Sequence, residues 1–238
     1  MNYFVYISLF LSVIFSGLSV LFFKISGKNL KLILSFSGAY LFAVSVLQLI
    51  PEIYAKGNNT IGIYILIGFL LQIFLEFFSE GIEHGHIHVH AHPEKSFPYT
   101  MMIGLSIHSF IEGMPLAEYP GASIKTYENP LLTGIILHNI PIAIALMSML
   151  LQSNIKKQTA ILFLLVFSFI TPLGTMTGNA IENLSQYFDK IMAVVVGIFL
   201  HISTTILFES NENHRFNFLK FVTILLGVGI AILVGLTH

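Results

Sequence analysis

The chain has 238 residues, 55% of them hydrophobic and 10% charged, with a net charge of −1 and no cysteine. Soluble globules carry about a quarter charged residues, so an ordinary water-soluble domain is excluded. The balanced charge gives no basis for a nucleic-acid partner, and any metal site must use nitrogen and oxygen ligands.

Apolar runs recur along nearly the whole length, which is the signature of membrane helices. The first, NYFVYISLFLSVIFSGLSVLFF, is too long for the core of a signal peptide and lacks a basic start and a small-residue cleavage site. It reads as the first span. Cutting at the polar and Gly/Pro-rich breaks predicts eight segments, 3–23, 30–51, 61–80, 97–117, 129–151, 158–181, 188–208 and 216–236. What remains is too short for an extramembrane domain. The expected fold is therefore an all-α integral membrane protein, one domain over 1–238 with eight transmembrane helices. Tyr3, Tyr54, Tyr99, Tyr119, Tyr127 and Tyr187 fall near span ends and suit an interfacial belt.

Basic residues set the expected orientation. Loops after odd spans, with the adjoining helix entries, hold Lys24, Lys28, Lys31, Lys95, Lys156, Lys157, Arg215 and Lys220. Loops after even spans hold Lys56, Lys125 and Lys190. Eight against three places the odd loops in the cytoplasm and both termini outside it. The expected location is the cell membrane, or the inner membrane of a Gram-negative cell.

Polar groups inside the spans carry the chemistry. IHSFIEGMP in the fourth span sets His108 and Glu112 four residues apart, on one face of a helix. LHNIPIAI in the fifth supplies His138. An ionised carboxylate at mid-membrane costs about 2.5–3.5 kcal/mol on insertion scales, so Glu112 needs a partner, a proton or a water-filled route. A divalent cation held by His108, Glu112 and His138 meets that need. Two nitrogens and one oxygen suit zinc, iron or manganese, with zinc favoured by its tolerance of few ligands. Three protein ligands leave room for water, as release of the ion requires. Gly113, Pro115 and Pro141 should break the local helical hydrogen bonding and turn carbonyls towards a polar pathway. The bland alternative is interhelical hydrogen bonding by the same side chains.

HSFIEGMPLA at 108–117 and HNIP at 138–141 resemble the signature helices of the ZIP (Zrt/Irt-like) metal transporters. The resemblance extends to LIPE at 49–52, a His-rich loop between spans three and four, and TPLG at 171–174, and looks like a divergent bacterial-type member. It implies a ZIP-like bundle with both termini extracytoplasmic, transport of zinc or iron into the cytoplasm, an elevator-like or rocking movement, and frequent homodimers. Matched by position, His108, Glu112 and His138 fall on metal ligands. Ser109 and Asn139 fall on flanking positions that can hold a second metal. Ile142 stands where the fifth helix of the family carries another ligand, and Thr171 where the sixth often carries Glu. A single site is therefore expected, and no organic cofactor.

Two accessory features lie on the expected cytoplasmic side. EHGHIHVHAH places His84, His86, His88, His90 and His92 in a loop at 84–95, where imidazoles can gather around an ion. Gln72, Glu76, Glu80 and Glu83 form a stripe towards that loop, with Glu76 and Glu80 marking an exit route or a solvated helix end. His201 reads as a structural hydrogen bonder and Glu209 as a surface position. Divalent-metal transport, not enzyme chemistry, is the leading function. A membrane metal sensor that does not transport is the second reading, and an intramembrane zinc hydrolase the third. The hydrolase would need Glu112 as general base and would then keep only two histidines.

Overall fold

The computed structural model describes residues 3–56, 60–79, 81–82, 99–117, 130–153, 155–181, 184–208 and 218–236. The described residues form helices, turns and short connections. The helices are α1 (Tyr3–Ser19), α2 (Gly27–Val44), α3 (Ile50–Lys56), α4 (Ile61–Ser79), α5 (Tyr99–Gly113), α6 (Pro130–Gln152), α7 (Lys157–Ser168), α8 (Ile170–Ala180), α9 (Phe188–Phe208) and α10 (Phe218–Leu236). Among the described residues, six helical runs are long and apolar enough to cross a membrane: Gly27–Ala55, α4, α6, Lys157–Ala180, α9 and α10. α1 is a shorter apolar helix, and α5 has 15 residues followed by a 3-10 turn at Met114–Leu116.

Among the described residues each predicted segment holds helix, the first stopping at Ser19, but three prolines act differently from expectation. The second segment does not end at the LIPE proline; helix continues to Lys56. A π turn at Ser45–Leu49 precedes Pro51, with the Ile50 N–H bonded to the Ser45 carbonyl five residues back. The wider turn accommodates the donor that proline lacks, so the run continues. α6 passes through Pro141 as one helix. A single missing donor is tolerated where neighbouring helices support the rest. The sixth segment, by contrast, breaks at Phe169 into α7 and α8. Pro172 cannot donate to the Ser168 carbonyl, and the chain tightens there, Phe169 N–H bonding to Val166 at 3.2 Å.

The helices pack as two sets. α1, α5, α6, α7 and α8 contact one another, as do α2, α3, α4, α9 and α10. The sets meet mainly along α2 against α6 and α4 against α5. The most extensive pairing, α4 with α9, is parallel and depends on reciprocal glycines. A Cβ at Gly68 would collide with the Val194 carbonyl oxygen, and one at Gly197 with that of Ile65. α5 and α8 close in the same way, Gly113 on the Thr171 carbonyl and Gly174 on that of Phe110. In hydrocarbon, where lipid is as apolar as leucine, such backbone approach supplies much of the association. Tyr3, Tyr54, Tyr99 and Tyr187 are exposed near helix ends, and Lys190 lies over the rings of Tyr64 and Tyr187. Tyr119, Tyr127 and the His-rich loop at 84–95 lie outside the described residues.

Candidate metal centre

α5 carries His108 and Glu112 on successive turns, and α6 brings His138 opposite them. All three side chains have 0% exposure. Glu112 Oε1 lies 2.9 Å from His108 Nε2 and 3.9 Å from His138 Nε2. The two imidazoles stand edge to face with centroids 5.8 Å apart. One ligating atom from each residue falls within 4.8 Å of the others. Ligands of a tetrahedral zinc at about 2.0–2.2 Å sit roughly 3.4 Å from one another, so small side-chain adjustments bring this triad onto one ion.

The local fold explains why the triad holds. α5 ends at Gly113, and the following Ala117 N–H turns to the Met114 carbonyl at 3.2 Å. The Gly113 carbonyl accepts instead from the Thr175 hydroxyl on α8 at 2.9 Å. That carbonyl is thus satisfied by a neighbouring helix. Gly113 and Gly174 let α8 close against the turn next to Glu112, so the carboxylate projects from a fixed backbone.

Polar groups with no hydrogen bond gather around these positions in the chain. Both Glu112 oxygens, the Ser109 hydroxyl and both ends of the Asn139 amide are buried without a hydrogen-bond partner of good geometry. Buried polar groups are normally paired, and an ionised one left unpaired is costly. Ile142 and Thr171, at the positions where the sequence departs from the ZIP pattern, are buried at 0% and 2% exposure, and Ile142 belongs to the apolar core.

The other expected residues fall elsewhere. Glu76 Oε2 pairs with His201 Nε2 at 2.6 Å, joining α4 to α9. Glu80, Glu83, Glu209 and the loop histidines His84, His86, His88, His90 and His92 lie outside the described residues. Gln72 was legible only as one member of a stripe on α4. It is fully buried, and its Oε1 lies 3.1 Å from His108 Nδ1. The four-residue spacing from Glu76 put it on the right face, but no sequence signal pointed to its partner.

The family model for the ZIP zinc transporter matches residues 87–235. The chain belongs to the ZIP family. Zinc transporter ZIP9-B of Xenopus laevis is 26% identical over 152 residues, covering 60% of this chain and 50% of the relative. Zinc transporter ZIP1 of Danio rerio is 31% identical over 121 residues, 50% of this chain and 39% of the relative. An uncharacterized protein of Methanocaldococcus jannaschii is 27% identical over 202 residues, covering 81% of each chain. This ZIP chain spans about half the length of the ZIP9 relatives that it matches. The matched region contains His108, Glu112 and His138, together with α5 to α10.

Proposed function

We propose that this ZIP protein carries divalent transition-metal cations, zinc foremost and iron(II) or manganese(II) as further cargo, across a cell membrane into the cytoplasm. The chain crosses the bilayer eight times with both termini extracytoplasmic, and it works without enzymatic turnover or an organic cofactor. The observation that supports this reading best is the buried triad, in which a carboxylate without a hydrogen bond of good geometry faces two histidines. A dication satisfies Glu112 and leaves the occupied site near +1, since two imidazoles bind as neutral ligands. Open coordination positions then hold water, and one carboxylate keeps the ion releasable. Ser109 and Asn139 line the path without forming a second site, because Ile142 and Thr171 bring no carboxylate. Glu76, Glu80 and the loop histidines receive the departing ion, and two copies of the chain form the working homodimer.

Reconstitution into liposomes tests the proposal. Zinc uptake should be present in the unmodified protein and absent in His108→Ala, Glu112→Ala and His138→Ala, each of which should still insert and fold. Uptake that survives these substitutions overturns the intramembrane site.

A further inference from the structure

We propose that Gln72 is the positioning residue of the metal centre: its carbonyl oxygen fixes the Nδ1–H tautomer of His108 and so commits Nε2 to the ion. This rests on the metal-site reading above and adds the group that prepares it.

A carbonyl oxygen has one role in a hydrogen bond, that of acceptor. Gln72 Oε1 accepts and cannot donate, so the nitrogen 3.1 Å away, His108 Nδ1, must carry the proton. A neutral imidazole has one N–H, which leaves a lone pair on Nε2. Nε2 lies 2.9 Å from Glu112 Oε1, off the line of a good hydrogen bond. Two acceptors at this separation repel unless a positive charge lies between or beside them. Gln72 thereby prepares a gap that takes a cation. With the amide turned round, its NH2 would donate to Nδ1, the ring proton would move to Nε2, and the lone pair that an ion needs would be gone. The orientation of one buried amide thus decides whether Nε2 offers the centre a lone pair or a proton.

The backbone holds Gln72 where this role requires it. One turn earlier on α4, Gly68 seats against the Val194 carbonyl and locks the helix to α9. One turn earlier on α5, Gly104 lets that helix approach α4; a Cβ there would lie 3.1 Å from the Leu75 carbonyl oxygen. α4 and α5 run antiparallel, so closing Gly104 on Leu75–Ser79 brings His108 level with Gln72. The bond also joins the two helix sets. A relative shift of the sets would part Gln72 from His108 and release the ring, tying ligand readiness to this arrangement of the helices. Outer partners that orient a ligating histidine commonly change metal affinity about 10- to 100-fold.

The test uses full-length protein in lipid nanodiscs with 15N-labelled histidine, the His108 signals being identified by comparison with His108→Ala. In zinc-free protein, His108 should be protonated on Nδ1, and Gln72→Leu should lose that preference. Gln72→Glu, which keeps an acceptor in place, should retain it. Zinc titration should show about 10- to 100-fold weaker binding in Gln72→Leu and near-normal binding in Gln72→Glu. If Gln72→Leu does not fold, Gln72→Met serves the same purpose. A His108 proton on Nε2 in the unmodified zinc-free protein overturns the proposal, as does unchanged tautomer and affinity in the apolar variant. Failure of the unmodified protein to bind zinc overturns the metal-site reading instead, because the zinc-free spectrum reports on Gln72 alone.

Discussion

Two carboxylate–histidine contacts link helices in this protein, and they are built in opposite ways. Glu76 and His201 lie 2.6 Å apart with side chains 30% and 11% exposed, and the imidazole rests at the edge of Phe69, 5.0 Å between centroids. A short hydrogen bond joins the two side chains. Glu112 has no exposure, faces two histidines, and finds no hydrogen bond of good geometry with either. Residue types are the same in both places. What differs is whether the acid closes on one imidazole or is held between two rings whose backbones are fixed by other contacts. A pair that closes is a fastener, whereas an acid held open is a receptor for charge.

The largest effect expected from this contrast is at Glu112. Glu112→Gln keeps the shape and removes the charge, so zinc binding should fall by more than about 100-fold and uptake should vanish. The zinc-free protein should melt no lower than the unmodified one, since a buried charge has gone. Glu76→Gln should retain zinc affinity at the centre and lose about 1–2 kcal/mol of stability through a weaker bond to His201. Equal loss of zinc affinity in the two variants would erase the distinction between fastener and receptor. Calorimetric zinc titration and thermal melting on both proteins measure it.

Next in size is the backbone contact that fixes the open acid. Gly174→Ala places a methyl group on the Phe110 carbonyl, which forces α8 away from α5. Uptake should fall at least about tenfold, because an ångström of ligand displacement is costly in a site set by geometry. The matching change at the other contact, Gly68→Ala, should lower the melting temperature about as much as Gly174→Ala does. It should disturb zinc affinity less, since it reaches the triad only through Gln72. Comparing the two ratios of affinity loss to stability loss checks the point.

Ile142→Glu should sharpen the receptor character further. The new carboxylate enters a position with 0% exposure, so the zinc-free protein should be less stable. Added zinc should recover that stability and bind more tightly than in the unmodified protein, which a melting series with and without zinc will show. The smallest effect belongs to the loop. Serine in place of His84, His86, His88, His90 and His92 should leave affinity at the triad within about twofold, as expected for ligands in a different compartment from the barrier-crossing site. Uptake should change in its dependence on zinc concentration rather than disappear.

Much of this organisation was legible in the sequence. The bounds of α9 match the seventh predicted segment; those of α4 differ by one residue at one end and those of α6 by one residue at each end. Apolar length reports spans directly because the bilayer sets it. His108 and Glu112 were legible because a four-residue spacing on a helix puts two groups on one face. Helix packing was not, since faces turned to lipid and to protein are both apolar; only 11% of the α10 window is buried, yet its sequence is apolar all round. The prolines were misread for a related reason. Whether Pro51, Pro141 or Pro172 stops a helix depends on what neighbouring backbone does with the orphaned carbonyl. Gln72 stayed hidden because its partner is 36 residues away on another helix. No periodicity relates them.

The proposed function requires one ion in one place. A crystal of the protein soaked in zinc, measured on both sides of the zinc absorption edge, tests that directly. The expected result is a single anomalous peak inside the bundle, within about 2.0–2.2 Å of His108 Nε2, a Glu112 oxygen and a His138 ring nitrogen. Two peaks about 3.5–4 Å apart and bridged by Glu112, or no peak within reach of that carboxylate, would contradict it.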